Sequence, residues 1–291
     1  MSSTDPKTWH PSVTVDVAGL QPIGRRPSLP TYIRRLWQRR FFIYAEARSK
    51  LLSSTRQNIL GNAWLILDPI ISGAVYFVIF GLVLHTSRGI DDFIGYLVIG
   101  VFLFKYTTRC LTSGAGSIRS NRAMIKAFSF PRASIPITVI MREVLNLVPI
   151  VIAMLLIILI ASPREEITWR WALLIPILAI QTVFNLGIAL FAARLASMIP
   201  DVEQLLKYLS RFWLYASAVF FSYDRFEGHP LILAATDLNP AFNFLDMTRD
   251  SLLYATTPHL SSWLLTSGWA LGMAIVGFVF FWQGEESYAR D

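Results

Sequence analysis

Between residues 114 and 136 the chain reads GAGSIRSNRAMIKAFSFPRASIP, with Arg119, Arg122, Lys126 and Arg132 and no acid. Ile118, Met124, Ile125 and Phe128 recur at helical spacing, and Pro131 and Pro136 stop the helix and turn the chain back. This stretch lies between two long apolar runs. A basic helix in that setting belongs at the cytoplasmic face of a membrane, where it offers a charged surface to another protein.

A second group of charges sits inside the apolar runs themselves: Lys105, Arg109, Arg142 and Glu143. Each is costly against lipid and should face protein, water or a partner. Arg142 and Glu143 are neighbours and point about 100° apart on a helix, so they are not expected to pair with each other. Lys105 is the deepest. It either meets a charged substrate or pairs with an acid, and its position alone leaves both open. Aromatic residues form a third group: Tyr76, Phe77 and Phe80, then Phe102, Phe104 and Tyr106, then Phe212, Trp213, Tyr215, Phe220, Phe221 and Tyr223. They suit helix packing and an interfacial belt, or a path along which sugar rings stack.

Other chemistry is missing from the sequence. No GxxxxGK[ST] run is present, so the chain carries no nucleotide-binding loop of that type. The four histidines, His10, His85, His229 and His259, have no ligand spacing, and no metal site is expected. No G-x-S-x-G or Cys–His arrangement marks a nucleophile. The acid pairs Glu165–Glu166 and Glu285–Glu286 fall at the ends of apolar runs and read as solvated charges. A single cysteine, Cys110, leaves no intramolecular disulfide to form.

Composition identifies the elements that must position these groups. Of 291 residues 54% are hydrophobic and 15% charged, and mean hydropathy is +0.49; together with unbroken apolar runs this describes an all-α integral membrane protein. The net charge of +7 is explained by basic cytoplasmic loops, so no nucleic-acid partner is expected. Residues 1–28 read as a disordered cytoplasmic tail without a signal-peptide core, and 29–291 as one transmembrane domain. An amphipathic interface helix is expected over 29–52, with Ile33, Leu36, Trp37, Phe41 and Tyr44 on one face and Arg34, Arg35, Arg39 and Arg40 elsewhere. Those arginines suit lipid phosphates or a phosphorylated substrate head.

Six spans follow, near 63–84, 93–112, 136–161, 169–195, 205–222 and 262–282, each about long enough for a ~30 Å hydrocarbon core. Ten Lys and Arg residues precede the first span and four lie in the loop 114–135. The loop after the first span has only Arg88, and the one after the third has Arg164 and Arg170. Both termini are therefore expected in the cytoplasm of a multi-pass inner-membrane protein. Residues 223–261 are too broken to span and read as short outer-face helices, with a re-entrant pair as one arrangement.

The order of motifs resembles the permease subunit of type-2 ABC exporters, especially exporters of lipid-linked polysaccharides such as O-antigen, teichoic acid and galactan. The resemblance runs over residues 32–282. It is carried by Thr55–Arg56–Gln57, Leu60–Gly61, Trp64 and Leu67–Asp68–Pro69; by Asn121, Ile125, Lys126 and Phe130–Pro131–Arg132; and by Asp201, the run Ser217, Ala218, Val219, Phe220, Phe221, then Asn239–Pro240 and Arg249. Ala218 stands where the family often has proline, and Pro200 precedes Asp201 where it often has arginine.

The resemblance implies a homodimer bound to two copies of a separate ATP-binding subunit, with ATP and magnesium on that partner and no cofactor on this chain. It also implies an ATPase-coupling role for Arg119, Asn121, Arg122, Ile125, Lys126, Phe130, Pro131 and Arg132, with the first and fifth spans lining the route. Tyr76, Phe77, Phe80, Phe102, Tyr106, Trp213, Tyr215, Phe220 and Phe221 would then form the aromatic lining of a sugar path. Arg34, Arg35, Arg39, Arg40 and Lys105 would meet the substrate head or the membrane lipids. The expected function is ATP-driven export of a lipid-linked glycan, with no enzyme activity on this chain. A type-2 exporter of lipid, drug or small antibiotic shares the topology. A six-span membrane transferase would need catalytic motifs the sequence does not contain.

Overall fold

The computed structural model describes residues 27–53, 63–76, 78–79, 92–161, 168–221 and 229–289. The expected tail over 1–28 lies almost wholly outside them, as do Thr55–Arg56–Gln57, Phe77, Phe80 and Arg88. Among the described residues the structure is helical throughout, with no strand. Helices α1 (Leu29–Gln38) and α2 (Arg40–Ser53) lead to α3 (Trp64–Tyr76) and the long α4 (Phe93–Ala115). Two short helices, α5 (Ser117–Ser120) and α6 (Arg122–Ala127), make the basic loop before α7 (Ser134–Ala161). A 3-10 turn, Trp169–Leu173, opens α8 (Leu174–Met198), and α9 (Val202–Ala216), α10 (Pro230–Leu238), α11 (Pro240–Leu252) and α12 (Leu260–Gln283) complete the bundle.

Among the described residues four helices are long and apolar enough to cross a membrane: 93–115, 134–160, 169–198 and 260–283. They match the second, third, fourth and sixth expected spans. The described part of the first span is the 13-residue α3. The fifth is the 15-residue α9, about 22 Å long at 1.5 Å per residue, after which the helix breaks.

Helix α4 is the centre of the bundle. Leu97, Val98, Ile99, Val101, Phe102, Leu103 and Phe104 are buried against α7, α8, α9 and α11. Asp92 caps its start by accepting from the Gly95 N–H at 3.0 Å, as an N-cap side chain should. Between α4 and α8, the Gln181 amide donates to Leu103 O at 3.2 Å and Thr107 Oγ1 at 3.0 Å. Interhelical hydrogen bonds of this kind join spans where lipid supplies no hydrophobic drive between them. Helices α8 and α12 touch through Gly187 and Gly277, where a Cβ on either glycine would run into the other helix's backbone. Small residues allow that approach.

The outer faces of α7 and α12 carry exposed Val148, Ile152, Ile160, Leu264, Leu271, Ile275 and Val276. In water this would be a defect, whereas in a bilayer it is the lipid-facing surface.

The expectation that Arg142 and Glu143 do not pair is corrected, and Leu36 leaves the apolar face expected on 29–52. Arg142 does pair with its neighbour: its Nη2 lies 2.8 Å from Glu143 Oε1. Glu143 is buried, and the long arginine side chain folds round the helix to neutralise it. On α1 and α2 the residues turned inward are Tyr32, Leu36, Ile43 and Ala47, while Ile33, Trp37, Phe41 and Tyr44 are exposed. The two-helix segment thus has one apolar face on the bundle and a second facing out, with a break at Arg39 between them.

Candidate functional site

The basic loop is held by an apolar cluster beneath it. Ile118 and Ile125 from the loop pack with Tyr32 and Leu36 of α1, Ala133 and Ile135 at the start of α7, Leu190 and Ala193 of α8, and Phe281 and Tyr288 at the chain's end. The loop's inner positions are therefore spent on the bundle. Arg119, Arg122, Lys126 and Phe128 are exposed, Asn121, Phe130 and Arg132 half-buried, and Pro131 buried. Ile125 faces inward at 4% exposure, so with the buried Pro131 it anchors the loop instead of offering a contact surface. Asn121 steadies the bend between α5 and α6 by donating to Ser117 O at 2.8 Å and accepting from Lys50 Nζ at 3.4 Å.

Glu285, read from sequence as a solvated charge, is buried here. Its Oε2 accepts from the Tyr32 hydroxyl at 2.7 Å, and its Oε1 accepts from the Arg132 backbone N–H at 3.0 Å. The Tyr32 oxygen also accepts from the Ala133 N–H at 2.9 Å. Burial pushes the Glu285 carboxyl above the usual carboxylate range, against the lowering effect of its hydrogen bonds from Tyr32 and Arg132 and of the Arg132 charge. Burial and the Glu285 charge push the Tyr32 hydroxyl upward as well. No spacing signal marks Glu285; only the docking of the tail onto the loop reveals it. Arg39 lies over the Phe130 ring at 5.5 Å, while Arg40 stacks on Trp37 and Phe41. Arg34 and Arg35 are exposed on α1.

Beside the loop, Lys50, Thr112, Ser113, Gly116, Ser120, Asn121, Thr138, Val139, Arg142 and Glu203 surround a cavity of about 450 Å³. Farther along α4, Lys105 and Arg109 lie one turn apart and line a groove with Asp68, Ser72, Phe102 and Ile150. Arg109 reaches Asp68 at 3.4 Å. One acid thus answers two cations there.

The expected aromatic lining divides. Phe102 and Tyr106 are 2% and 1% exposed, and Tyr106 shares a hydrogen bond with Thr182 at 2.9 Å. Trp213 packs edge-on against Phe104 at 5.6 Å and donates to Asn239 Oδ1 at 2.9 Å. Tyr215 is 61% exposed. It lies on a stripe of α9 with Leu205, Tyr208, Leu209 and Phe212, all exposed and spaced as one helix face. Phe220 packs beside Tyr215 at 5.8 Å, and Tyr215 and Phe221 edge a second cavity of about 420 Å³ with Leu231 of α10 and Asn239. Tyr76 ends α3.

The break after α9 is built by residues far away in sequence. Ala218 has φ 47°, the left-handed region that costs a non-glycine residue about 1 kcal/mol or more. Its carbonyl accepts from the Tyr96 hydroxyl at 2.9 Å and from Arg249 Nη2 at 3.2 Å. Asn239 caps α11 by accepting from the Ala241 N–H at 3.1 Å, and it donates to Ala216 O and Ser217 Oγ. The end of α9 and the start of α11 are thereby one structural unit.

A family model described as "ABC-2 type transporter" matches residues 43–253. Two proteins of Klebsiella pneumoniae, each named O-antigen export system permease protein RfbA, are 27% and 24% identical over 173 and 170 residues. Each match covers 58% of this chain and 64% of the relative. A Myxococcus xanthus protein of the same name is 22% identical over 213 residues, 73% of this chain and 80% of the relative. The match to the two Klebsiella relatives thus spans just under two thirds of their length. The family match takes in the basic loop, the charged groove on α4, the α9 stripe and Arg249, while Tyr32 and Glu285 lie outside it. The chain belongs to the ABC-2 type transporter family.

Proposed function

We propose that this chain is the membrane subunit of an ATP-driven exporter of a lipid-linked polysaccharide, working as a homodimer with two copies of a separate ATP-binding subunit. The observation that carries the reading is the basic loop. Its apolar side is committed to the bundle, while Arg119, Arg122, Lys126 and Phe128 are exposed between the end of α4 and the start of α7, in a chain whose sequence has no GxxxxGK[ST] run. A family member needs a motor, and this surface is chemically suited to receive one. ATP and magnesium belong to that partner.

The glycan reading draws on the names of the relatives and on the α9 stripe. An exposed row of Tyr208, Phe212 and Tyr215 suits a sugar path between two protomers, with α3 on its other side. In the six-span reading α3 and α9 belong to the first and fifth spans. The charge count puts the loop and both termini in the cytoplasm, and α10 and α11 at the outer face. The lipid pyrophosphate would be met at the cytoplasmic side by Arg34, Arg35, Arg39 and Arg40, and on its way by Lys105. Trp37 and Phe41 would rest in the lipid interface.

Depletion of the chain in cells tests the cargo. Loss of surface glycan with lipid-linked glycan accumulating inside is the expected result. Intact surface glycan with a small compound retained in the cell would assign the chain to lipid, drug or antibiotic export. Orientation is tested by Asp237→Cys, which should react with an impermeant thiol reagent added from outside; reaction only from inside would invert the topology.

A further inference from the structure

We propose that Glu285 is a positioning residue for energy coupling: it binds the exit of the basic loop to α1 and to the end of α12, so that the three move as one body. This rests on the reading of residues 114–135 as the surface on which the motor acts.

The placement of four polar groups carries the inference. Glu285 Oε1 holds the Arg132 N–H, Oε2 holds the Tyr32 hydroxyl, and the Tyr32 oxygen holds the Ala133 N–H. These groups come from three stretches of chain separated by 100 residues and more. Two of them are backbone N–H groups at the point where the loop becomes α7, so the loop's exit is fixed through its main chain and not through a side chain that can swing. The linkage is continued on both sides. The Trp282 indole donates to Pro27 O at 3.2 Å, Phe281 stacks on Tyr288 at 4.7 Å, and Arg194 of α8 donates to Ser287 Oγ at 2.7 Å.

A buried carboxylate is costly, and an apolar pair of the same size would serve stability as well or better. A carboxylate accepts on two oxygens in one plane, and here each oxygen takes a donor from a different segment. That joint makes a push on α6 travel through Pro131 into α1 and α12 as well as α7. Without it, the push would be absorbed by the bend at 128–131.

The test uses the complete transporter with its ATP-binding subunits in lipid nanodiscs and in cells. Tyr32→Phe removes one hydroxyl and keeps the ring. Glu285→Gln keeps an acceptor for Arg132 but replaces the other by a donor. Spin labels at Gln38→Cys and Ala127→Cys report the separation of α1 and α6 through the ATP cycle; Cys110 is buried. Both variants should copurify with the ATPase and turn over ATP within about twofold of the parent. Transport per ATP should fall roughly fivefold, the scale of one lost hydrogen bond, with a broadened label distance, and the double variant should do little further harm. Parental distances and transport per ATP in either variant would overturn the proposal. So would a reduced amount of assembled transporter with unchanged transport per ATP, which marks a folding role alone. If the cargo is not a glycan, depletion of the parent chain shows it separately, while label distance and the ATP-turnover comparison still decide the linkage.

Discussion

The guanidinium of Arg249 lies 3.3 Å from the centroid of the Tyr96 ring, and both side chains donate to the Ala218 carbonyl. A cation on an aromatic face, shielded from water, gains more than an exposed one. The pair spans α4, α11 and the break after α9, and Gly100 makes room for it: a Cβ there would sit 2.8 Å from Arg249 Nη2. Arg249 therefore fastens the C-terminal end of the α9 stripe to the centre of the bundle.

Removing this fastening should be severe. Arg249→Ala leaves a cavity and takes from the Ala218 carbonyl one of its two donors, with an expected cost of about 3–5 kcal/mol; Tyr96→Phe removes one hydroxyl and should cost about 1–2 kcal/mol. Thermal unfolding of the purified chain in detergent checks the order. A larger loss from Tyr96→Phe would put the weight on the hydroxyl.

Trp213 and Tyr215 should separate packing from transport. Trp213 is packed on Phe104 and bonded to Asn239, so Trp213→Ala should cost about 3–5 kcal/mol of stability and reduce export through loss of protein. Tyr215 is mostly exposed. Tyr215→Ala should leave stability within about 0.5 kcal/mol while lowering export. Full export by Tyr215→Ala at parental protein levels would remove it from the sugar path.

Charge reversal on the loop tests docking. Arg122→Glu with Lys126→Glu changes two exposed side chains, so unfolding should shift by less than about 1 kcal/mol. Copurification of the ATP-binding subunit should drop several-fold, and more steeply at low salt, since exposed charges are screened beyond about 10 Å at 0.1 M. Unchanged copurification would place the motor elsewhere.

Glu285 should make stability depend on pH. Its folded-state pKa is raised by burial, so the folded chain binds this proton more readily than the unfolded chain. The stabilisation is complete below the ordinary carboxylate value of about 4.3 and is lost as pH rises through the raised value. Arg132 and the Tyr32 hydroxyl oppose the rise, which narrows the window. Relative to Glu285→Gln, the parent should gain stability as pH is lowered through the raised value toward the ordinary carboxylate range, measured by unfolding in detergent. A gain in the opposite direction would mean that the hydrogen bonds from Tyr32 and Arg132 outweigh burial.

Much of the architecture was readable from residue type and order. Apolar length alone marks the helices 93–115, 134–160, 169–198 and 260–283, because a bilayer demands about 20 apolar residues per crossing. The basic loop was equally legible as a charged stretch, since charge acts locally, but the single helix expected up to Pro131 is two short ones, broken at Asn121 and ended at Ala127, where Phe128 is extended. The short α9 was less so. Its apolar run continues through Ala218, Val219 and Phe220, and the break comes from a turn secured by Tyr96, Asn239 and Arg249.

By itself the sequence determined the membrane class, the longer helices, the charged loop and the family resemblance, all properties of short windows or of their order along the chain. Tertiary structure decided which aromatics are core and which are exposed, that Arg142 neutralises Glu143, and that Arg249 sits beneath Tyr96. It also decided that Glu285, two residues past the last span and plausible as a solvated charge, is a buried joint between three distant segments. The physical reason is common to these cases. A polar group's role depends on which donors and acceptors surround it when water is removed, and for Glu285 and the Arg249–Tyr96 pair those neighbours are 100 or more residues away, beyond the reach of any local pattern.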